Sequence, residues 1–180
     1  MTTRILVLGG GFAGVSTAQA LVKQLRREGR LVRPGRAAKA GDAGRSGVSV
    51  TLLARDNHFV FQPLLADVIS GAIETTHVVV PLRRMLRDVE VEVGTVEAID
   101  ADAREVHVVR RQSGRPFRVG YDALVVALGS VTDFRAVPGM AEHALGVRTL
   151  GDAFYLRNRA LAMLEEAATE PDPARRRRLL

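Results

Sequence analysis

The sequence predicts an α/β fold with an open, mostly parallel sheet and an inserted antiparallel β-meander. Three observations carry this. An apolar run ends in spaced glycines and opens a helical pattern; later apolar runs of strand length are separated by helix-length segments; and beyond residue 89 apolar and polar residues alternate.

Residues 4 to 8 (RILVL) read as a buried strand. Residues 12 to 28 follow with apolar positions at 15, 18, 21, 22 and 25, the spacing of one helix face, and Gly29 is placed to end the helix. Residues 30 to 47 hold Gly, Pro, Ala and Arg without periodicity, which predicts an exposed basic insertion. Residues 48 to 54 (VSVTLLA) resume as a strand. A short helix is expected after Pro63 and another from Pro81, because proline suits the first helical turn. VEVEVGTVEAID, REVHVVRR and RPFRVG then form the meander, with turns at Asp100 to Asp102 and at Ser113-Gly114. YDALVVALG, residues 121 to 129, reads as a central parallel strand whose carboxyl end faces a ligand. Residues 151 to 169 predict a long amphipathic helix beginning near Asp152, and PDPARRRRLL runs from there to Leu180.

A chain of 180 residues suits one domain rather than two full nucleotide-binding domains of roughly 100 to 200 residues each. Cysteine is absent, which excludes a dithiol centre, a disulfide framework and a thiolate metal site within these residues. No apolar run approaches the roughly 20 residues that span a bilayer, and the first residues lead straight into a strand without a signal-peptide core, so the chain reads as cytoplasmic. The net charge of +6 is concentrated in Arg26, Arg27, Arg30, Arg33, Arg36, Lys39 and Arg45 and in Arg175 to Arg178. Neither cluster interleaves aromatic residues, which argues against nucleic acid and leaves solvated segments or an anionic lipid surface. His58, His77, His107 and His143 are scattered without metal-ligand spacing, and no metal site is expected. His58 stands just past the second strand end.

The sharpest feature is Gly9-x-Gly11-x-x-Gly14 between strand and helix. Such a loop turns tightly at Gly9, lets backbone amides at Gly11 approach a pyrophosphate, and packs helix on strand at Gly14. The helix N-terminus adds unpaired N–H groups and partial positive charge, which favour the anion. The loop therefore predicts a dinucleotide site. A nicotinamide-binding unit would place an acid at the end of the second strand, where Ala54 stands here. Glu28 comes too early, and Asp56 could reach only if the strand end shifts. Arg55 could pair with a phosphate, stack on adenine, or be an ordinary surface arginine.

RILVLGGGFAGVSTAQAL, DNHFVFQPLL with DVISGAIE, VGTVEAID, YDALVVALGSVTDFRAVPGMAEHALGVRTLGDA and YLRNRALAMLEEA together resemble the pyridine-nucleotide-dependent flavoproteins of the glutathione-reductase type, and within them type II NADH dehydrogenases. The resemblance spans nearly the whole chain except residues 30 to 47. It implies a Rossmann-like FAD-binding domain. The loop of Gly9, Gly11, Phe12, Ala13 and Gly14 would hold the FAD pyrophosphate, with the AMP ribose beside Ala54 and Arg55. The backbone of Val96 would meet adenine, Ala127, Leu128 and Gly129 would lie along the cofactor, and Phe61, Gln62 and Pro63 would lie toward the flavin ring. By pattern alone, Val96 and the ALG strand read as sheet core.

The same resemblance implies hydride transfer from NADH to the flavin and onward to a quinone without proton pumping. The flavin carries the chemistry, so no residue here is assigned as acid, base or nucleophile. It expects an incomplete FAD-binding domain over 1 to 180, with helix 151 to 169 leading to an NADH-binding domain outside this chain. These residues alone are then expected to bind FAD weakly or not at all. The full-length enzyme would sit on the cytoplasmic face of the inner membrane, and a homodimer is admitted. The missing acid at Ala54 departs from the family pattern. Three other readings stand beside this one: a sulfide:quinone oxidoreductase-like enzyme, weakened by the lack of cysteine; a nicotinamide-dependent dehydrogenase using Arg55 for a 2′-phosphate, separated by flavin absorbance; and a non-catalytic nucleotide-binding module. Genomic sequence beyond Leu180 that encodes a second glycine-rich strand, turn and helix would favour the enzyme over the module.

Overall fold

The computed structural model describes residues 2–32 and 47–180. Residues 33 to 46 of the expected insertion lie outside the described residues. The chain divides into two compact units, one of residues 1–59 and 80–130, the other of residues 60–79 and 131–180.

The first unit is built on a four-stranded parallel sheet. Its strands are β1 (Thr3–Leu8), β2 (Val48–Ala54), β5 (Glu90–Val93) and β9 (Ala123–Val126), ordered β5-β2-β1-β9. Helix α1 (Phe12–Arg27) connects β1 to the crossover that leads to β2, and Gly29, at φ +65°, lies just beyond its end. Side chains alternate across each strand and so feed two cores. Val7, Val50, Leu52 and Ala54 pack under Val15, Ala18, Val22 and Leu25 of α1, the stripe its spacing predicts. Leu82 of α3 (Leu82–Met85) and Leu86 close the same face. Each fully buried Val or Leu here contributes on the order of 1.5 to 3 kcal/mol, which holds α1 on the sheet.

Leu6, Leu8 and Leu53 point to the opposite face, where Val106, Val108 and Tyr121 meet them. This second layer is an antiparallel meander of β6 (Thr95–Asp100), β7 (Glu105–Val109) and β8 (Pro116–Gly120). The turn between β6 and β7 is tied by the amide of Ala103, which donates to Asp100 Oδ1 at 2.8 Å.

Two expectations are corrected. VEVEVGTVEAID is not one meander strand: its first half, β5, lies parallel to β2, and only Thr95 onward joins the meander. Gly94 marks the break, its amide still donating to the Ala54 carbonyl at 2.9 Å. A Cβ there would lie 2.4 Å from Val108 Cγ1, so only glycine lets the chain cross between the layers at this point. Second, β9 is a four-residue edge strand among the described residues, not a central one. PDPARRRRLL, to which the sequence reading gave no element, carries α6 (Pro173–Leu179), which starts there because Asp172 accepts from the Ala174 amide and Pro173 suits the first turn.

The short strands β3 (His58–Val60) and β4 (Val79–Pro81) pair where the chain passes from one unit to the other and back. In the second unit, α2 (Leu65–Ser70) follows a 3₁₀ turn opened by Gln62 and Pro63. Residues 140–143 form the one-turn helix α4, and α5 runs Leu150–Thr169. Helix α5 starts two residues before Asp152 because Thr149 caps it. The Thr149 hydroxyl accepts from the Asp152 amide at 3.1 Å, and Asp152 Oδ2 accepts from the Thr149 amide at 2.7 Å. Leu65, Val68, Val78 and Ala153 form this unit's core. Helix α5 buries only Ala153 and Ala167 and leaves Leu161 and Leu164 exposed, a weaker amphipathic face than its sequence suggests.

Candidate functional site

The glycine loop is set by contacts that exclude side chains. Gly9 has φ +113°, and a Cβ on it would meet the Ala127 carbonyl oxygen at 2.1 Å. A Cβ on Gly14 would meet the Gly9 carbonyl oxygen at 1.8 Å. Above Gly11, by contrast, nothing lies within 4 Å of a Cβ position, so the loop's outer surface is open. Gly11 is the N-cap of α1, with no side chain bonded across the cap and no acid in the first turn. The arrangement leaves the helix's positive end and its leading amides facing an open surface, which is what an anion needs.

The structure brings the ALG segment to this loop. The Ala127 amide donates to the Leu8 carbonyl at 2.8 Å, extending the β1–β9 ladder by one bond, and the backbone of Ala127 and Leu128 lies against Gly9. Gly129 follows at φ +79°. Phe12 and Ala13 are exposed in the first turn of α1, and Phe12 meets Phe59 edge to face, with centroids 4.9 Å apart.

At the end of β2, Ala54 is buried, its Cβ 2.8 Å from where a Gly10 Cβ would stand. Position 54 therefore lies directly beneath the loop. Arg55 is exposed, and its Nε donates to Asp56 Oδ2 at 3.2 Å. Asp56 Oδ1 accepts from Arg111 Nη1 at 3.1 Å. Sequence reasoning missed Arg111, which stands 55 positions from its partner, in the turn after β7. Val96 is half-buried in β6, paired with Val108 at a register shift, and packs on the core of the sheet's second face.

Gln62 and Pro63 belong to the second unit, where Gln62 Nε2 donates to the Arg148 carbonyl at 2.9 Å. This bond ties the turn after β3 to the cap of α5. His58 pairs through Nδ1 with Asn57 Oδ1 at 3.1 Å. Among the described residues no three His, Asp or Glu side chains gather as metal ligands.

A parallel sheet, a glycine turn packed too tightly for side chains and a helix start left open define the chain as an α/β protein of the dinucleotide-binding type. Comparison with known proteins narrows the class. The chain belongs to the pyridine nucleotide-disulphide oxidoreductase family, whose model matches residues 3–168. It is 33% identical over 180 residues to the type II NADH:quinone oxidoreductase Ndh of Mycobacterium tuberculosis, a match that covers 98% of this chain and 34% of that protein. It is 31% identical to the demethylphylloquinone reductase NdbB of Synechocystis, over 93% of this chain and 37% of that one. The fold matches NDH2 of Plasmodium falciparum with a TM-score of 0.71 at 21% identity, covering 96% of this chain and 31% of the other. The chain spans about a third of the length of these curated relatives. Despite the family's description, the absence of cysteine places no dithiol in these 180 residues.

Proposed function

We propose that the chain is the FAD-binding part of a type II NADH:quinone oxidoreductase, which oxidises NADH and reduces a quinone without pumping protons. The observation that carries this reading is the strand, glycine turn and helix of residues 3–27, closed to side chains within and open above Gly11. The relatives named for NADH and quinone, and the FAD-dependent family, support the rest.

In this reading the amides of Gly11, Phe12, Ala13 and Gly14 hold the FAD pyrophosphate, with Gly9 shaping the turn. The adenosine lies toward Ala54, Arg55 and the backbone of Val96, and Ala127, Leu128 and Gly129 run along the cofactor. Gln62 and Pro63 serve its flavin end. FAD, when bound, supplies two-electron redox chemistry. The chain's own residues bind and orient it.

The reading extends to a domain that spans the chain, with α5 leading to an NADH-binding domain, to a homodimer, and to docking on an anionic membrane surface at the cytoplasmic face. Arg177 and Arg178, exposed on α6, support the docking. No helix among the described residues is long and apolar enough to cross a membrane.

The test is a titration of flavin fluorescence with the purified chain. Weak, saturable quenching that Gly11→Glu abolishes is expected, because a carboxylate there repels the pyrophosphate. Saturable quenching that is indifferent to that substitution overturns the assignment.

A further inference from the structure

One exposed turn outside the glycine loop gathers three arginines around a serine. Residues 110 to 115 read RRQSGR, and Ser113 is the only Ser or Thr of the chain with an arginine at both the second and the third position before it. The segment closes the hairpin between β7 and β8: the Arg110 amide donates to the Arg115 carbonyl at 2.9 Å and the Gly114 amide to the Arg110 carbonyl at 2.8 Å, with Gly114 at φ +65°. Ser113 therefore stands exposed at the tip, where its hydroxyl accepts a long contact from the Arg115 amide at 3.4 Å. The three guanidinium groups differ in what holds them. Arg110 pairs with Glu92 at 3.3 Å and lies 4.4 Å over the Phe117 ring. Arg111 reaches away from the turn to Asp56 at 3.1 Å and is itself 66% exposed. Arg115 has no side-chain partner among the described residues.

We propose that Ser113 is a phosphorylation site for a Ser/Thr protein kinase that reads arginines before its acceptor, and that the phosphate draws Arg111 away from Asp56. In the transfer, Ser113 Oγ bonds to the γ-phosphorus of ATP, the bond to the β–γ bridging oxygen breaks, ADP leaves, and the hydroxyl proton passes to the kinase's catalytic carboxylate. An exposed tip of small polar residues opens at little cost, so the hydroxyl can enter a cleft. The ion pairs that hold Arg110 and Arg111 on this surface are exposed and weak, which leaves both able to meet an acidic cleft instead. The exchange follows from charge. A phosphoserine carries about −1.5 to −2 charges and three acceptor oxygens, whereas Asp56 offers one charge already shared between Arg55 and Arg111. Arg111 and Ser113 also belong to one turn, and Arg115 adds a second donor from its other side. Asp56 then keeps Arg55 alone, and the meander loses this tie to the end of β2. Neither step depends on a bound nucleotide.

The test is incubation of the folded 180-residue chain with Mg-ATP and a purified Ser/Thr kinase selective for two arginines before the acceptor. Peptide mass spectrometry locates the phosphate, and NMR follows the Asp56 carboxyl carbon. Phosphate is expected on Ser113 alone and is lost in Ser113→Ala. Arg110→Gln should slow its incorporation about tenfold, the worth of one charge-assisted hydrogen bond in the kinase cleft. On phosphorylation the Asp56 resonance should move toward its position in unmodified Arg111→Gln, where substitution breaks the same pair. No phosphate on Ser113 of the folded chain overturns the site, including the case where only the heat-denatured chain is modified. A phosphorylated Ser113 with the Asp56 resonance unmoved overturns the exchange.

Discussion

The carbonyl oxygen of Gly9 occupies the place a side chain on Gly14 would need, 1.8 Å from where its Cβ would stand. Strand end and helix start are therefore in backbone contact, and their separation cannot grow by a methyl group without moving α1 off the sheet. Gly14→Ala should lower stability by about 1 to 3 kcal/mol, as overpacking does, with the larger loss if α1 cannot shift. Urea denaturation followed by circular dichroism measures it; a midpoint unchanged from wild type would contradict the contact.

Helix α5 depends on its first turn, because it buries little of its length. Thr149→Ala removes the hydroxyl that accepts from the Asp152 amide and should cost about 1 kcal/mol, within the usual range for N-caps. Thr149→Ser, which keeps the oxygen, should restore most of the loss. Comparing the two variants by chemical denaturation separates the cap from the methyl group.

Asp122 sits at the start of β9, where the amide of Arg4 donates to its carboxylate and the Asp122 amide donates back to the Arg4 carbonyl. The bond from the Arg4 amide holds the carboxyl below the ordinary aspartate range, against partial desolvation and with help from the Arg4 charge. A depressed folded value means the contribution is present above the unfolded value and disappears as pH falls through the folded one. Stability should therefore decline below about pH 4, and Asp122→Asn should flatten that decline relative to wild type. Thermal midpoints at stepped pH values are the readout.

Leu52 is fully buried beneath α1, whereas Leu161 on α5 is half exposed. Leu52→Ala should cost about 2 to 5 kcal/mol, the transfer of the lost methyls plus a cavity, while Leu161→Ala should stay within about 0.5 kcal/mol. Denaturant midpoints of the pair decide this, and comparable losses would refute the burial difference.

Where structure is dictated by neighbours in sequence, it was legible. The glycine turn, the α1 stripe at Val15, Ala18, Val22 and Leu25, and the Pro81 helix start all follow from spacing and backbone chemistry over a few residues. The split of VEVEVGTVEAID was not, because alternation with a period of two is the same for a strand that joins a parallel sheet and one that joins a hairpin. Partner choice there rests on Gly94 and on what Val108 leaves room for. The edge position of β9 was hidden for a related reason: an all-apolar strand looks central whether or not a second neighbour is described. At the candidate site, the loop and the ALG segment could be read separately, but the backbone contact between Gly9 and Ala127 could not. Asp56 was visible and its two arginine partners were not both so, since Arg111 reaches it only through the fold of the meander.

Strand β9 has a neighbour on one flank alone among the described residues, and its four side chains are Ala, Leu, Val and Val. Nothing along it, neither a lysine, a proline nor a bulge, discourages another backbone from docking. Among the described residues, that flank carries backbone amides and carbonyls without a strand partner along four apolar residues, the kind of edge on which a further strand can pair.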